Sequence, residues 1–301
     1  MIARAKRTIQ RDLDYYQESV NQLIIRNEEV LLTRYENNFN KYANNIGTSW
    51  TRNLSEFQSY QICTIIDREK EMKLLHYARV LARAFYSLGY NIDKDVVVRF
   101  RDKRITLKGR PYKSYMGIID WYKALGLFFA LRDRAGIDLL MGAPRSAFEN
   151  SALQHKELHF RILRVVQNIY NPSVAKHMMG YIQEALEATD PTLNMYDVDK
   201  GSTNFVLYIR EPLIRVWMAA LMNKEDYFNE QLEDALLLHK KYYSVGDRCE
   251  ESDGWVSWRL LAPTIFAHDS GININIESEY IPKWLVEGDF SGVEKWLEWE
   301  I

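Results

Sequence analysis

With 301 residues, 47% of them apolar and 27% charged, the chain is long enough to bury one large hydrophobic core or two smaller ones. Its 14 glycines and 7 prolines lie below the usual shares of about 7% and 5%, which excludes a collagenous, low-complexity or turn-dense chain, and two cysteines cannot form a disulfide framework. Charged residues interrupt every apolar stretch well before the roughly 20 residues that a membrane span needs, and the net charge is only −2.

The start of the chain is basic and leads into mixed polar sequence without the apolar segment of a secretion signal, which predicts a cytoplasmic protein with no membrane partner. Residues 8–45 contain neither glycine nor proline and predict one long helix, or two joined by a kink. Over 74–88, apolar residues recur at steps of three and four, which predicts an amphipathic helix ending at Gly89. Side chains with capping spacing predict helix starts at Ser55, Asn223 and Ser291.

Two segments depart from the helical pattern. From Val96 to Leu107, apolar runs flank Asp102-Lys103 and predict a small two-stranded hairpin. From Ile272 to Ile276, isoleucine alternates with asparagine, which predicts a second, short extended piece.

Four helices in the second half of the chain form two predicted pairs, 153–170 with 173–188 and 205–222 with 224–243. Their connections are short enough to force antiparallel neighbours. The predicted fold class is therefore mostly all-α, with antiparallel helical hairpins in a repeat-like array and one small β-hairpin near 96–107.

The predicted division of the chain has two parts. Residues 1–110 hold the long N-terminal helices and the β-hairpin, and residues 111–301 form a helical domain. A single continuous domain is the other possibility.

The sequence lacks the common catalytic motifs: no GxxxxGK[ST], GxGxxG, GxSxG or HExxH occurs. His155 and His159 could face one metal ion, but a catalytic zinc needs a third ligand and an acid–base carboxylate. His268 and Asp269 are adjacent, and neighbouring helical side chains point roughly 100° apart, so we expect a buried structural His268 and no hydrogen-bonded pair. We expect a protein that is not an enzyme and holds no cofactor or metal.

Aromatic residues near basic ones at the start of the chain could stack on nucleic-acid bases. At helical spacing such residues are usually core, and 39 basic against 41 acidic residues do not give a nucleic-acid footprint. We expect no direct nucleic-acid binding. The aromatic residues concerned are Tyr15, Tyr16, Tyr35, Phe39 and Tyr42.

Charge is unevenly distributed along the chain. From Glu250 onward there are eleven acidic residues against three basic ones, whereas basic residues gather at the start and over 99–113. Such asymmetry either marks a charged partner or reflects solvated faces and segments that meet in the fold.

The most distinctive sequence lies between Trp255 and Leu285. It combines an apolar helix, a His-Asp pair, Gly-Ile, an alternating acidic stretch and Tyr-x-Pro. Together with Trp121–Asp133 and Tyr227–Tyr243, in this order, it resembles the immunity protein 49 family, all-α proteins encoded beside bacterial polymorphic toxins. The resemblance spans about residues 115–290, and the first 110 residues have no counterpart in it.

The resemblance implies an immunity protein, or antitoxin, that binds the catalytic domain of one cognate toxin 1:1 and blocks it sterically. Its setting would be interbacterial competition, as in type VI secretion. A helical-repeat scaffold for a cellular partner and an unrecognised helical enzyme are the alternatives, and the oligomeric state is open.

Acidic loops and one tryptophan are the candidates for toxin contact, because opposite charge speeds encounter and aromatic anchors give affinity. The same acids could be merely solvated, and the tryptophan could belong to the core. The candidates are Asp197, Asp199, Glu250, Glu251, Asp253, Trp255, Glu277 and Glu279.

Overall fold

The computed structural model describes residues 1–4, 13–27, 41, 43–62, 67–100, 103–149 and 156–297. The chain forms two compact units, one of Met1–Thr8 with Gln154–Asp289 and one of Ile9–Leu153 with Phe290–Ile301. We call them the C-terminal unit and the N-terminal unit. The domain boundary predicted at residue 110 concerns parts that fold independently, and it stays a prediction.

The fold is mostly helical, with a two-stranded antiparallel sheet, as the sequence predicts. The regular elements of the N-terminal unit are α1 (Leu13–Arg26), α2 (Ile46–Tyr60), α3 (Arg68–Tyr90), β1 (Asp95–Phe100), β2 (Lys103–Lys108), α4 (Ile118–Ala130), α5 (Arg134–Met141) and α6 (Arg145–Glu149). Those of the C-terminal unit are α7 (Glu157–Gln167), α8 (Met178–Glu187), α9 (Lys200–Phe205), a π-turn (Val206–Arg210), α10 (Glu211–Met222), α11 (Glu225–Tyr243), α12 (Trp258–Asp269) and α13 (Lys283–Glu287).

Helix α3 contains the amphipathic stretch predicted over 74–88, but it starts six residues earlier. It begins after Asp67, whose Oδ1 accepts hydrogen bonds from the backbone N–H groups of Glu69 and Lys70. Such an N-cap satisfies donors that a helix start leaves unpaired. The buried face of α3 packs against α2, where the ring centroid of Trp50 lies 6.0 Å from that of Tyr86.

The helix start predicted at Ser55 is wrong. Ser55 lies inside α2, which begins at Ile46. Trp50, Leu54 and Phe57 are all buried and continue the same apolar face on both sides of Ser55, so packing keeps this residue helical. The helix predicted over 8–45 is confirmed for α1 only. Residues 8–12, 28–40 and 42 lie outside the described part of the chain, and Ala43–Asn45 form a 3₁₀ turn.

The β-hairpin is confirmed. Val96 pairs with Leu107, and Val98 pairs with Ile105. Val96, Val98 and Leu107 are buried while Val97 is exposed, which is the period-two alternation of a strand with one face on a core. The residues of its turn, 101–102, lie outside the described residues.

Both helical hairpins are confirmed, since α7 packs against α8 and α10 against α11. The segment predicted to begin at 173 opens with a 3₁₀ stretch before α8 starts at Met178. Asn223 does not cap α11 as predicted. It ends α10 in the left-handed conformation, with φ of 52°, which asparagine tolerates better than most residues. Ser291 precedes only a 3₁₀ turn at Glu294–Trp296.

The extended piece predicted at 272–276 forms no regular strand; the region has one isolated parallel bridge, between Ile2 and Ser278. No helix among the described residues has both the length and the apolar character to cross a membrane.

Two helical glycines should respond oppositely to alanine. A Cβ at Gly136 in α5 would lie 2.7 Å from a ring carbon of the buried Phe128, so Gly136→Ala should lower the free energy of unfolding by about 1–3 kcal/mol. Gly180 in α8 is exposed and has open space around it, so Gly180→Ala should raise that free energy by about 0.5–1 kcal/mol. Urea denaturation of both variants measures the difference, and effects of equal sign would contradict this packing.

Candidate functional site

Arg4 joins two of the acidic segments singled out in the sequence. Its Nε donates a hydrogen bond to the carbonyl oxygen of Trp255, at 2.8 Å, and its backbone N–H donates to Oε2 of Glu279, at 2.7 Å. The N–H of Ser257 also donates to the carbonyl oxygen of Tyr280, at 2.8 Å. The loop at 250–255 and the segment at 277–279 therefore lie side by side in the C-terminal unit.

We call the carboxylates of these two segments the acidic surface: Glu250, Glu251, Asp253, Glu277 and Glu279. Glu251, Glu277 and Glu279 are exposed, and Glu250 and Asp253 are half-buried. Arg4 is the one basic residue of the first eleven that the structure describes, and its contact with Glu279 joins opposite charges from the two ends of the sequence.

Asp253 differs from the other members because its carboxylate faces inward. Its Oδ2 lies 3.4 Å from Nη2 of Arg259, whose side chain is only 6% exposed. The guanidinium of Arg259 lies over the ring of Phe205, 5.7 Å from its centroid, and that of Arg210 lies 5.1 Å from the same centroid. Asp253 therefore anchors the loop to the buried cationic side chain of Arg259.

Trp255 lies in the core and not at the surface. It is 6% exposed, and its Nε1 donates a hydrogen bond to the carbonyl oxygen of Cys249, at 3.3 Å. Because it is buried, Trp255 supports the acidic loop from behind and does not offer an exposed aromatic anchor.

Asp197 and Asp199 lie in the loop before α9, and both are exposed. Oδ1 of Asp197 lies 3.1 Å from Nζ of Lys156. Asp199 caps α9: its Oδ1 accepts from the backbone N–H groups of Gly201 and Ser202, at 2.8 and 2.9 Å. Hydrogen bonds from the side chain and backbone of Ser202 lower the pKa of Asp199, which keeps this carboxylate charged.

The expectation for His268 is wrong in two respects. The side chain of His268 is 33% exposed, so it is not buried, and Nδ1 of His268 lies 3.0 Å from Oδ1 of Asp269. The 100° offset applies to the Cα–Cβ bonds, and rotation about the side-chain bonds still lets the imidazole reach the carboxylate of Asp269, the last residue of α12.

Ser278 lies between the two glutamates of the segment at 277–279. Its hydroxyl oxygen accepts a hydrogen bond from the N–H of Tyr280, at 3.2 Å, and its hydroxyl donates one to the carbonyl oxygen of Ile2, at 3.5 Å.

His239 is the buried histidine of this unit. Its ring lies between those of Tyr243 and Tyr280, with centroids 4.7 and 4.9 Å away. Burial, and then the charge of Arg259, lowers the pKa of His239 to about 3, so the ring is neutral in the folded protein.

The two-histidine metal hypothesis involves His155, which lies outside the described residues, and His159 on α7. Within the described ranges, no group of three or more His, Cys, Asp or Glu side chains could hold a metal ion.

The described elements and the acidic surface define a helical protein that presents carboxylates on the loops beside its helices. The family model for immunity protein 49 matches residues 67–285, and the chain belongs to this family of immunity proteins. No curated protein and no solved structure matches the chain.

The match reaches further towards the N-terminus than the sequence motifs indicated. It begins at Asp67, the cap of α3, and includes the basic β-hairpin, for which the motifs gave no counterpart. Sequence inspection missed this part because its pattern is largely apolar helix, which many families share. The match also contains both segments of the acidic surface.

Proposed function

We propose that this protein is a cytoplasmic antitoxin that binds the catalytic domain of one cognate bacterial toxin 1:1 and blocks access of its substrate. Membership of the immunity protein 49 family supports the class. The observation that carries the proposal in this chain is the acidic surface, where Arg4 holds two separate carboxylate-bearing segments together. A basic toxin face would be attracted to it over distances of about a Debye length.

Such a protein inhibits by occupying space, so it needs a surface that stays in place on binding. A specific interface of about 1,600 Å² needs a rigid scaffold as well as complementary charge. The loop at 250–255 has that support from below, through the ion pair of Asp253 with Arg259 and the hydrogen bond of Trp255 to Cys249. We place Glu250, which is half-buried, and Glu251, which is exposed, at the rim of the proposed interface. Charge at an interface rim affects the association rate most.

Co-expression with the toxin domain encoded beside this gene tests the proposal. We expect cells to be rescued from that toxin, and the two purified proteins to elute together as a 1:1 complex in gel filtration. An unrelated toxin domain expressed in the same cells is the control and should not be neutralised. Failure of rescue together with separate elution of the two proteins would refute the proposal.

Charge reversal at the rim should slow association without unfolding the loop. We expect Glu250→Lys with Glu251→Lys to lower the association rate with the toxin about tenfold at low salt and to flatten its salt dependence. Asp253 is left unchanged because its carboxylate faces Arg259. Stopped-flow measurements over a salt series provide the test.

The matched control is Glu230→Lys with Glu233→Lys on α11, which makes the same change of net charge at two exposed positions. If both double variants slow association equally, net charge alone is responsible and the acidic surface has no special role.

A further inference from the structure

A groove of about 480 Å³ runs along residues 273–279 in the C-terminal unit. Its apolar walls include Met1, Ile281 and Val286, and Glu277 and Glu287 supply carboxylates along it. It is large enough to accept several side chains of another chain, and it shares Glu277 and Glu279 with the acidic surface.

The chain beside the groove has the exposure pattern of an extended strand, although it belongs to no sheet. Ile272 is buried and Ile274 and Ile276 are half-buried, whereas Asn273 and Asn275 are exposed. This period of two is what an extended backbone with one face on a core produces.

One edge of this extended segment is already hydrogen-bonded. Asn229 of α11 donates from Nδ2 to the carbonyl oxygen of Asn273, at 2.9 Å, and accepts at Oδ1 from the N–H of Asn275, at 3.0 Å. The side-chain amide of Asn229 thus makes the pair of bonds that a neighbouring strand would make. The N–H of Asn273 also donates to Oε2 of Glu225, at 3.2 Å.

Ile2 continues the same pattern further along the segment. Its N–H donates to the carbonyl oxygen of Glu277, at 2.8 Å, and its carbonyl oxygen accepts from the N–H of Glu279, at 3.2 Å. These bonds again involve odd-numbered residues of the segment, as expected if a single edge is in use.

In an extended chain, the backbone groups of alternate residues point to opposite edges. The N–H and carbonyl groups of Ile274 and Ile276 therefore point away from Asn229, and within the described residues neither backbone makes a hydrogen bond. An edge of this kind is a template for a further strand, which is how many proteins bind an extended peptide.

We infer that this edge binds an extended segment of the toxin, paired through its backbone with Ile274 and Ile276. This inference rests on the proposed function. The segment would place apolar side chains against Ile281 and Val286 and a basic side chain at Glu277.

The carboxylates of the groove favour a basic segment of the toxin over an acidic one. Three carboxylates line the groove, those of Glu277, Glu279 and Glu287, and Lys283 has its Nζ 3.5 Å from Oε1 of Glu287. The carboxylate of Glu277 is exposed and makes no ion pair with any described residue. The carboxylate of Glu277 could therefore pair with a Lys or Arg side chain of the partner.

Backbone hydrogen exchange tests the pairing directly. In the free full-length chain, the amides of Asn275 and Glu279 should be protected and those of Ile274 and Ile276 should exchange at least tenfold faster. In the toxin complex, the amides of Ile274 and Ile276 should become protected by tenfold or more. If a stable complex forms and these two amides stay unprotected, the edge is not used, and the proposed function stands without it.

Two other outcomes would also overturn the inference. If no complex forms, the proposed function itself fails. If the amides of Ile274 and Ile276 become protected in the free chain as its concentration rises, and gel filtration shows a dimer, the occupant is a second copy and not the toxin.

A proline substitution gives an independent measurement. Ile276→Pro removes an N–H that bonds to no described residue, so the internal bonds of Asn229 are retained. We expect its affinity for the toxin to fall about tenfold or more. Ile276→Val keeps the N–H and should change affinity less than threefold, with the melting temperature of each variant reported beside it. Equal affinities for the two variants would contradict strand pairing.

Discussion

Replacing Asp253 by alanine should lower the free energy of unfolding by about 2–3 kcal/mol, a large effect for a single loop residue. The substitution removes the carboxylate that faces Arg259, whose side chain is only 6% exposed. Taking one partner from a buried ion pair reduces the compensation of the other partner's desolvated charge, which costs about 3–5 kcal/mol when both groups are fully buried. The value expected here is smaller because the side chain of Asp253 is 20% exposed.

Urea denaturation followed by tryptophan fluorescence measures this loss. Asp247→Ala is the matched control, since Asp247 is an exposed carboxylate in the preceding 3₁₀ turn and should change stability by less than about 0.5 kcal/mol. Equal effects of the two substitutions would mean that the ion pair with Arg259 does not stabilise the fold.

Acidification provides the second large effect, through His239. The pKa of this histidine is lowered to about 3 by burial and by Arg259, whereas a histidine in an unfolded chain titrates near 6.5. Below pH 6.5 the unfolded state therefore binds a proton that the folded state does not bind. The contribution of this group to stability is complete above pH 6.5 and is lost at about 1.4 kcal/mol per pH unit as the pH falls towards 3.

The comparison of the wild-type protein with His239→Phe isolates this contribution. Phenylalanine keeps a ring between Tyr243 and Tyr280 and cannot titrate. We expect the difference in unfolding free energy between the two proteins to shift by about 1.4 kcal/mol per pH unit between pH 6 and pH 4, in favour of the variant. A difference that does not change with pH would place His239 in a solvated environment.

Other groups also titrate in this pH range. The difference in unfolding free energy between the wild-type protein and His239→Phe is therefore more informative than the pH profile of either protein alone. His76 in the N-terminal unit has its pKa lowered to about 3, mainly by burial and then by Arg79, and acts in the same direction as His239. Burial raises the pKa values of Glu56 and Glu71 in that unit, so their protonation favours the folded state as the pH falls and opposes His76.

Local patterns were sufficient to predict much of the fold. Residue spacing gave the helical class, the β-hairpin and both helical hairpins, because each depends on side chains a few residues apart. The predicted helix starts were less reliable. Ser55 and Asn223 have side chains suited to capping, but packing extends α2 through Ser55, and the backbone of Asn223 turns left-handed.

Long-range contacts could not be predicted in the same way. Arg4 and Glu279 are 275 positions apart, so no spacing rule connects them, although the opposite charges of the two ends gave a hint. Asn229 hydrogen-bonds to the backbone of Asn273 and Asn275 as a neighbouring strand would. No sequence pattern predicts these bonds, because any polar residue at this position of α11 would fit the helical periodicity equally well. The burial of Trp255 was one of two open alternatives.

The structure also changes how the acidic residues are interpreted. The sequence groups Glu250, Glu251 and Asp253 as one acidic run, yet the carboxylate of Asp253 faces the buried side chain of Arg259. Asp253 supports the loop through Arg259, and reversing all three would combine a loss of stability with a loss of encounter charge. Glu277, which is exposed and beside the groove, becomes the better third position for binding experiments.

Titration of the toxin's catalytic activity with the purified protein tests the central claim, inhibition by occupancy, most directly. At concentrations well above the dissociation constant, residual toxin activity should fall linearly to zero at one equivalent and should not depend on incubation time. Toxin separated from the complex in denaturant and refolded should recover its activity and its original mass. Complete inactivation by a small fraction of an equivalent, increasing with time, would show that the protein acts by turnover and would contradict the account.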